Sequence, residues 1–349
     1  MKLWRKLRMT LKDIAAEAGV STMTVSNVIN GKHNRVSKST VEKINKIITK
    51  NNYVPNQSAR SLTAKSSKII ALIVPVIEKT ATTHGTTLFE NPYVGSMLGE
   101  IERTLRENGY YPMIRSVAKQ TDILTLFHTW NVDGAIFLYP SFDEIIDSLI
   151  EQISLPMVFI DSSSQNPNVM NIGCDNEKGM FLSTRYLITH GHRNIAFIAD
   201  YKNNPLLEQR FLGYKRALEE SKIAFNSSFV IENSPTYEGG IKAGTTIASS
   251  KIPITGAVTT ADICAIGMIE GARLGGMRIP ADLSIVGFDD ILPCLYTSPK
   301  LTTVSQNLHK KASLAANLLI ERLTTKKVKQ NKILVDVNMI ERQSVIDIE

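Results

Sequence analysis

Residues 10–31 read TLKDIAAEAGVSTMTVSNVING, a stretch that encodes two short helices joined by a tight turn. Thr10 followed three residues later by Asp13 is a capping box, so a helix starts at Leu11. Leu11, Ile14, Ala15 and Ala18 recur at helical spacing and mark its buried face. Gly19 stops that helix as a left-handed cap would. Ser21 opens a second helix, which turns Val25, Val28 and Ile29 inward and ends at Gly31. Two helices around a short glycine-containing turn form the helix-turn-helix pattern. A third helix is predicted from Ser37 or Ser39 to Asn51, with Glu42 completing a second capping box and Val41, Ile44, Ile47 and Ile48 inward. Residues 1–54 therefore read as an all-α headpiece.

The outward face of the second helix carries Thr22, Met23, Ser26 and Asn27. Asparagine can bond an adenine edge twice, and a Met or Thr methyl can touch a thymine methyl. An ordinary solvated face uses the same residue types, and the charge distribution decides between the two readings. Of the net charge of +7, residues 1–68 carry 14 Lys and Arg against 3 acids, and residues 69–349 carry 26 against 30. A basic excess confined to a small helical domain is the footprint of phosphate binding. Ser21, Thr24 and Arg35, with Thr10 and Ser37 at helix starts, complete the candidate DNA contacts of the headpiece. Tyr53 to Asn56 closes the headpiece; residues 57–65, QSARSLTAK, then read as a weak helix of about two turns, marginal alone. Ser66 and Ser67 follow as a linker.

The 349 residues suit two or three domains, and 43% hydrophobic with 21% charged residues is a globular composition. No apolar run reaches the roughly 18 residues that a bilayer span needs. The basic stretch Met1–Arg8 is followed by no apolar segment, so it is no secretory signal; a disordered arm and a start at Met9 both fit it. Cys174, Cys264 and Cys294 are odd in number and far apart, which fits reduced buried thiols in a cytoplasm better than disulfides or zinc. His190-Gly191-His192 has no further ligands at metal spacing and reads as a helix C-terminus whose dipole favours charged histidine. No dinucleotide fingerprint, P-loop or nucleophile elbow is present. An enzyme, a cofactor and a metal are accordingly not expected. A transport protein is not expected either, since it would need an export signal and would have no use for the headpiece.

From Lys68 the pattern changes to short apolar runs alternating with amphipathic helices. Strands are predicted at 69–76, 134–138, 157–160, 195–199, 254–258 and 284–288. Helices are predicted at 94–108, 179–190, 209–221, 264–274 and, amphipathic, 309–323. Such alternation gives doubly wound parallel sheets, whose ligands bind beyond the carboxyl ends of the strands.

Residues 10–31, the VS at 36–37 and NNYVPNQSARSL at 51–62 closely resemble the headpiece and hinge of LacI/GalR repressors. The resemblance continues through NPYVGSMLGEIERTLRENGY at 91–110, LPMVFIDS at 155–162, LITHGHRNIAFIA at 187–199 and RFLGYKRALEE at 210–220. It extends to RIPADLSIVGFDDI at 278–291 and LTTVSQNL at 301–308, and so covers nearly the whole chain. It implies a regulator, most simply a repressor, that binds a pseudo-palindromic operator as a homodimer and answers to a small-molecule effector, a sugar or sugar derivative. Thr22 and Met23 would hold the main base-reading positions, with Asn27 where the family usually has Arg. Residues 55–67 would be hinge helix and linker, with Asn56, Ser58, Ala59 and Arg60 on DNA and Leu62 wedged into the minor groove. Residues 68–349 would form an effector domain like the periplasmic binding proteins, two doubly wound parallel-sheet lobes with the ligand between them. Lobe 1 would take about 68–161 and 300–323, and lobe 2 about 168–291 and 332–349, with crossings near 161–168, 291–299 and 324–332.

Mapped through these motifs, the effector-binding candidates are Asn91, Tyr93, Asp161, Arg210, Asp262 and Asp289. Carboxylates and a guanidinium suit sugar hydroxyls, and Tyr93 suits ring stacking. Helix or turn capping is the competing role for Asp289, and an inter-lobe salt bridge that for Arg210. The family's usual Asn-Asp pair is here Ala261-Asp262, which removes one polar contact. The connection at Ile77–Glu90 is longer than usual and reads as a lid or a reshaped cleft mouth. Ending at Glu349 without a leucine heptad tail, the chain is not expected to form a tail-built tetramer.

Overall fold

Capping hydroxyls and inward aliphatics set the first helices of the chain. In the computed structural model, residues 9–53, 66–75, 90–117, 119–138, 145–325 and 329–348 are described. The stretch before Met9, the hinge segment with Asn56, Ser58, Ala59, Arg60 and Leu62, and the connection from Ile77 to Phe89 lie outside the described residues. The chain divides into two units, Met1–Ser67 and Lys68–Glu349.

In the first unit, α1 (Leu11–Ala18) starts on the Thr10–Asp13 box and stops at Gly19, with φ +68°. Helix α2 (Thr22–Ile29) is capped by Ser21, and a 3₁₀ turn at His33–Arg35 follows it. Helix α3 (Lys38–Lys50) starts on Ser37, whose hydroxyl accepts the Thr40 N–H. Glu42 therefore lies too far into the helix to close the box expected of it. Ile14, Ala15, Ala18, Val25, Val28, Ile44 and Ile47 form the small core.

The second unit opens with β1 (Ile69–Pro75), α4 (Pro92–Glu107), β2 (Tyr111–Val117), α5 (Gln120–Thr129), β3 (Gly134–Leu138), α6 (Ile146–Gln152), β4 (Met157–Ile160) and β5 (Met170–Cys174). It continues with α7 (Asn176–Thr189), β6 (Ile195–Ile198), α8 (Pro205–Glu220), β7 (Val230–Ile231), α9 (Tyr237–Ser249), β8 (Gly256–Thr259), α10 (Asp262–Leu274), β9 (Ser284–Asp289) and β10 (Thr302–Ser305). Helix α11 (Leu308–Thr325), β11 (Lys332–Val335) and β12 (Asn338–Ile340) complete it. One sheet has the order β11-β5-β4-β3-β1-β2 and is parallel throughout. The other has the order β12-β10-β9-β8-β6-β7, parallel except for the β10–β12 pair. Apolar clusters cover both faces of each sheet, as parallel sheets require.

The three crossings fall later than the sequence suggested. Strand β5 stays with lobe 1, so the first crossing lies between Cys174 and Asn176. Strand β10 belongs to lobe 2, which moves the second crossing to between Ser305 and Leu308. Strand β11 returns to lobe 1 beside β5, and the third crossing falls between Val335 and Asn338. The first sheet thus gains β5 and β11, and the second gains β10. The His-Gly-His segment also differs from the dipole reading in part. His190 caps α7, but His192 is buried between Thr255 and the Ile346 carbonyl, and burial pushes its pKa down, favouring the neutral ring.

Candidate functional site

On α2 the exposed residues Thr22 and Met23 share a face with the half-buried Ser26 and Asn27, while Val25 and Val28 face the core. Met23 keeps 69% of its surface exposed and is therefore open to contact. Thr10, Ser21 and Ser37 spend their hydroxyls as caps on Asp13, Thr24 and Thr40, so their free capacity is smaller than the sequence implied. Thr24 is half-buried against Ser21, and Arg35 is exposed at the end of the 3₁₀ turn.

The second site is a cleft with an interior volume of about 120 Å³, partly open to solvent and lined by both lobes. Its polar wall is built at strand ends. Asp161 follows β4 with φ +61°, and Asp289 ends β9 with φ +134°. Left-handed backbone at two carboxylates facing one cleft is the kind of local strain that functional sites hold. Asn91 caps α4 through its carboxamide oxygen, which fixes Tyr93 in the first turn. The Tyr93 hydroxyl donates to Asp161 Oδ2 at 2.8 Å.

Arg210 projects from α8, which Asn204 caps, and is almost fully buried. Its Nε donates to Asn176 Oδ1 at 2.9 Å, its Nη1 donates to the Thr260 carbonyl, and its guanidinium lies over the Phe288 ring. These partners belong to lobe 2 and its edge, and among the described residues Arg210 forms no inter-lobe salt bridge. Asp289 does cap, since its Oδ2 accepts the Asp262 N–H at the start of α10 at 3.4 Å, but its Oδ1 also accepts from Gln306 Nε2 at 2.5 Å. Burial, then the neighbouring Asp262 carboxyl, push the pKa of Asp289 up to about 7.

Five of the six effector candidates, Asn91, Tyr93, Asp161, Arg210 and Asp289, meet at this cleft. Asp262 does not. It is fully buried behind the wall, where Thr303, Cys294 and the Ile291 N–H occupy its carboxylate. Its role is to anchor the β9 end, and the effector assignment is corrected accordingly. Sequence reasoning missed Asn204, Thr260 and Gln306, which also line the cleft. Gln306 lies in the stretch at 301–308 that resembles the family, but the strand before it, Thr-Thr-Val-Ser, has no apolar pattern, so its place at a strand end was not legible. Thr260 Oγ1 is buried at the cleft wall with no hydrogen-bond partner among the described residues. Buried hydroxyls are normally satisfied, so this one marks a place for a ligand atom or water.

Residues 10–56 match the bacterial regulatory proteins of the lacI family, and residues 184–345 match the periplasmic binding protein-like domain. The chain is 33% identical over 346 residues to the ribose operon repressor of Haemophilus influenzae, covering 97% of this chain and 99% of that one. Among solved structures, a transcriptional regulator CelR–cellobiose complex is 25% identical, with a TM-score of 0.71, covering 97% of this chain and 100% of that one. A lac repressor dimer bound to operator and the anti-inducer ONPF shares the fold at a TM-score of 0.83 and 24% identity, covering 97% and 99%. With a helix-turn-helix unit joined to a two-lobed binding unit, this chain belongs to the lacI family of bacterial regulatory proteins, the DNA-binding transcription regulators.

Proposed function

We propose that this regulator represses from a pseudo-palindromic operator as a cytoplasmic homodimer without enzymatic activity, under the control of a small neutral sugar or sugar derivative. The cleft wall carries the effector reading: carboxylate acceptors on both lobes, the Arg210 donor, and the unpartnered Thr260 hydroxyl. Vicinal hydroxyls, each both donor and acceptor, match such a mixed wall. Among the described residues the only aromatic side chain on the wall is Tyr93, whose hydroxyl is tied to Asp161. Leu206, Leu207, Ile263 and Ile291 supply apolar walls for a sugar's carbon face.

In this reading Thr22, Met23 and Asn27 read bases, while Ser26, Thr24, Arg35 and the capped helix starts at Thr10, Ser21 and Ser37 position the headpiece on phosphates. The hinge residues Asn56, Ser58, Ala59, Arg60 and Leu62 keep their proposed minor-groove role. Effector binding then shifts operator affinity through its differential affinity for two lobe arrangements.

A thermal-shift screen of neutral pentoses, hexoses and disaccharides against nucleobases and sugar phosphates tests the proposal. One neutral sugar should raise the midpoint and change a specific gel shift on operator DNA, and Arg210→Ala should lose both responses. A response confined to nucleobases or phosphates would overturn the sugar reading. The absence of any specific gel shift would overturn the repressor reading.

A further inference from the structure

Helix α11 buries Leu308, Ala312, Ala315, Ala316 and Leu319, and in the same stripe it buries Lys311 completely. Lysine is almost never fully buried unless it is paired. Its ammonium lies 2.5 Å from Asp161 Oδ1 and 2.6 Å from Oδ2. It also donates to Gln306 Oε1 at 2.6 Å and approaches the Tyr93 hydroxyl at 3.5 Å. Lys311 is absent from the cleft lining, yet three of its partners line the cleft.

The arrangement has a direction. An ammonium has three donors and no acceptor, whereas a carboxamide has a donor end and an acceptor end. With Lys311 on one side and the Asp289 carboxyl on the other, Gln306 must turn Oε1 to the lysine and Nε2 to the aspartate. Asp289 Oδ2 in turn accepts the Asp262 N–H at 3.4 Å. Lys311 and Asp161 belong to lobe 1, Asp289 belongs to lobe 2, and Gln306 stands on the second crossing between them.

We propose that Lys311 is a positioning residue for the effector cleft, which acts through Gln306 to hold the lobe-2 carboxylate Asp289 in place. A lone packing or charge-neutralising role would end at Asp161. The relay instead fixes the orientation of a neutral side chain and passes it to the opposite lobe. The functional meaning rests on the cleft being the effector site. The test is made on the effector-free full chain, so a failed sugar screen would remove the sugar reading and leave this test standing.

Lys311→Met is made together with Asp161→Asn, which removes both members of the ion pair and leaves no unpaired buried charge. Gln306→Leu alone breaks the relay and leaves the ion pair intact, so it serves as the variant least at risk of misfolding. The reporter is deuterium exchange at the Asp262 amide, which bonds to Asp289. The expected result is at least tenfold faster exchange in Lys311→Met/Asp161→Asn and in Gln306→Leu, with no further increase when all three are combined. Such non-additivity is the mark of groups acting along one chain. Wild-type exchange in Gln306→Leu, wild-type exchange in the charge-pair variant, or effects that multiply in the combination would each overturn the proposal.

Discussion

Asp289 shows how much a single side chain carries at this site. Its carboxyl is buried beside Asp262, and its pKa is raised to about 7. An acid whose folded pKa exceeds its unfolded one contributes stability that is present at low pH and lost as pH rises through the folded value. The urea midpoint of the wild type should therefore fall between about pH 4 and pH 7. Asp289→Asn should flatten much of that fall, and Asp262, which burial also pushes up, should account for what remains. An equal slope in both proteins would show that Asp289 is ionised throughout. Asp161, Arg210 and Asp289 were legible in the sequence because they sit at strand ends or early in helices within recognisable motifs. Lys311 was not, since a lysine is read as solvated by default. Its partner Asp161 lies 150 positions away, and nothing local reveals the pair.

Between elements, α9 and α10 approach each other closely in lobe 2. A Cβ at Gly240 would meet the Cys264 carbonyl at 2.0 Å, and one at Gly267 would meet the Tyr237 carbonyl at 2.0 Å. Each glycine lets the other helix's backbone come near, so neither obstacle is a flexible side chain. Gly240→Ala should cost about 1–3 kcal/mol, the range for overpacking, read as a lower urea midpoint. Gly99→Ala in α4, where nothing among the described residues lies within 4 Å, should instead raise stability by roughly 0.5–1 kcal/mol. Equal shifts in the two variants would contradict the packing account. The sequence showed elements unevenly. The central strands β3 and β4 are fully buried apolar runs and were read end to end. The edge strand β2 is largely exposed, and β10 reads Thr-Thr-Val-Ser, so neither gave an apolar signal. Missing β5, β10 and β11 as members of their sheets is what displaced the predicted crossings.

For the molecule as a whole, assembly follows from the proposed function, because a two-fold operator needs two copies. Leu292, Leu295 and Tyr296 form an exposed apolar cluster on one short turn after β9, with Tyr296 73% exposed. If that cluster lies in the dimer interface, Tyr296→Asp should shift sedimentation toward monomer and weaken operator binding more than tenfold, leaving thermal stability within a few degrees. An unchanged dimer would move the interface elsewhere. The three crossings carry a separate consequence for the gene. Because the last segments, α11 and β11 in lobe 1 and β12 in lobe 2, alternate between lobes, a premature stop codon shortly after Ser305 strips both sheets of a strand at once. Even a stop at 326 removes β11 and β12 together. Nonsense alleles across this last stretch should therefore behave alike, as losses of the binding unit, whereas missense alleles there should separate by lobe.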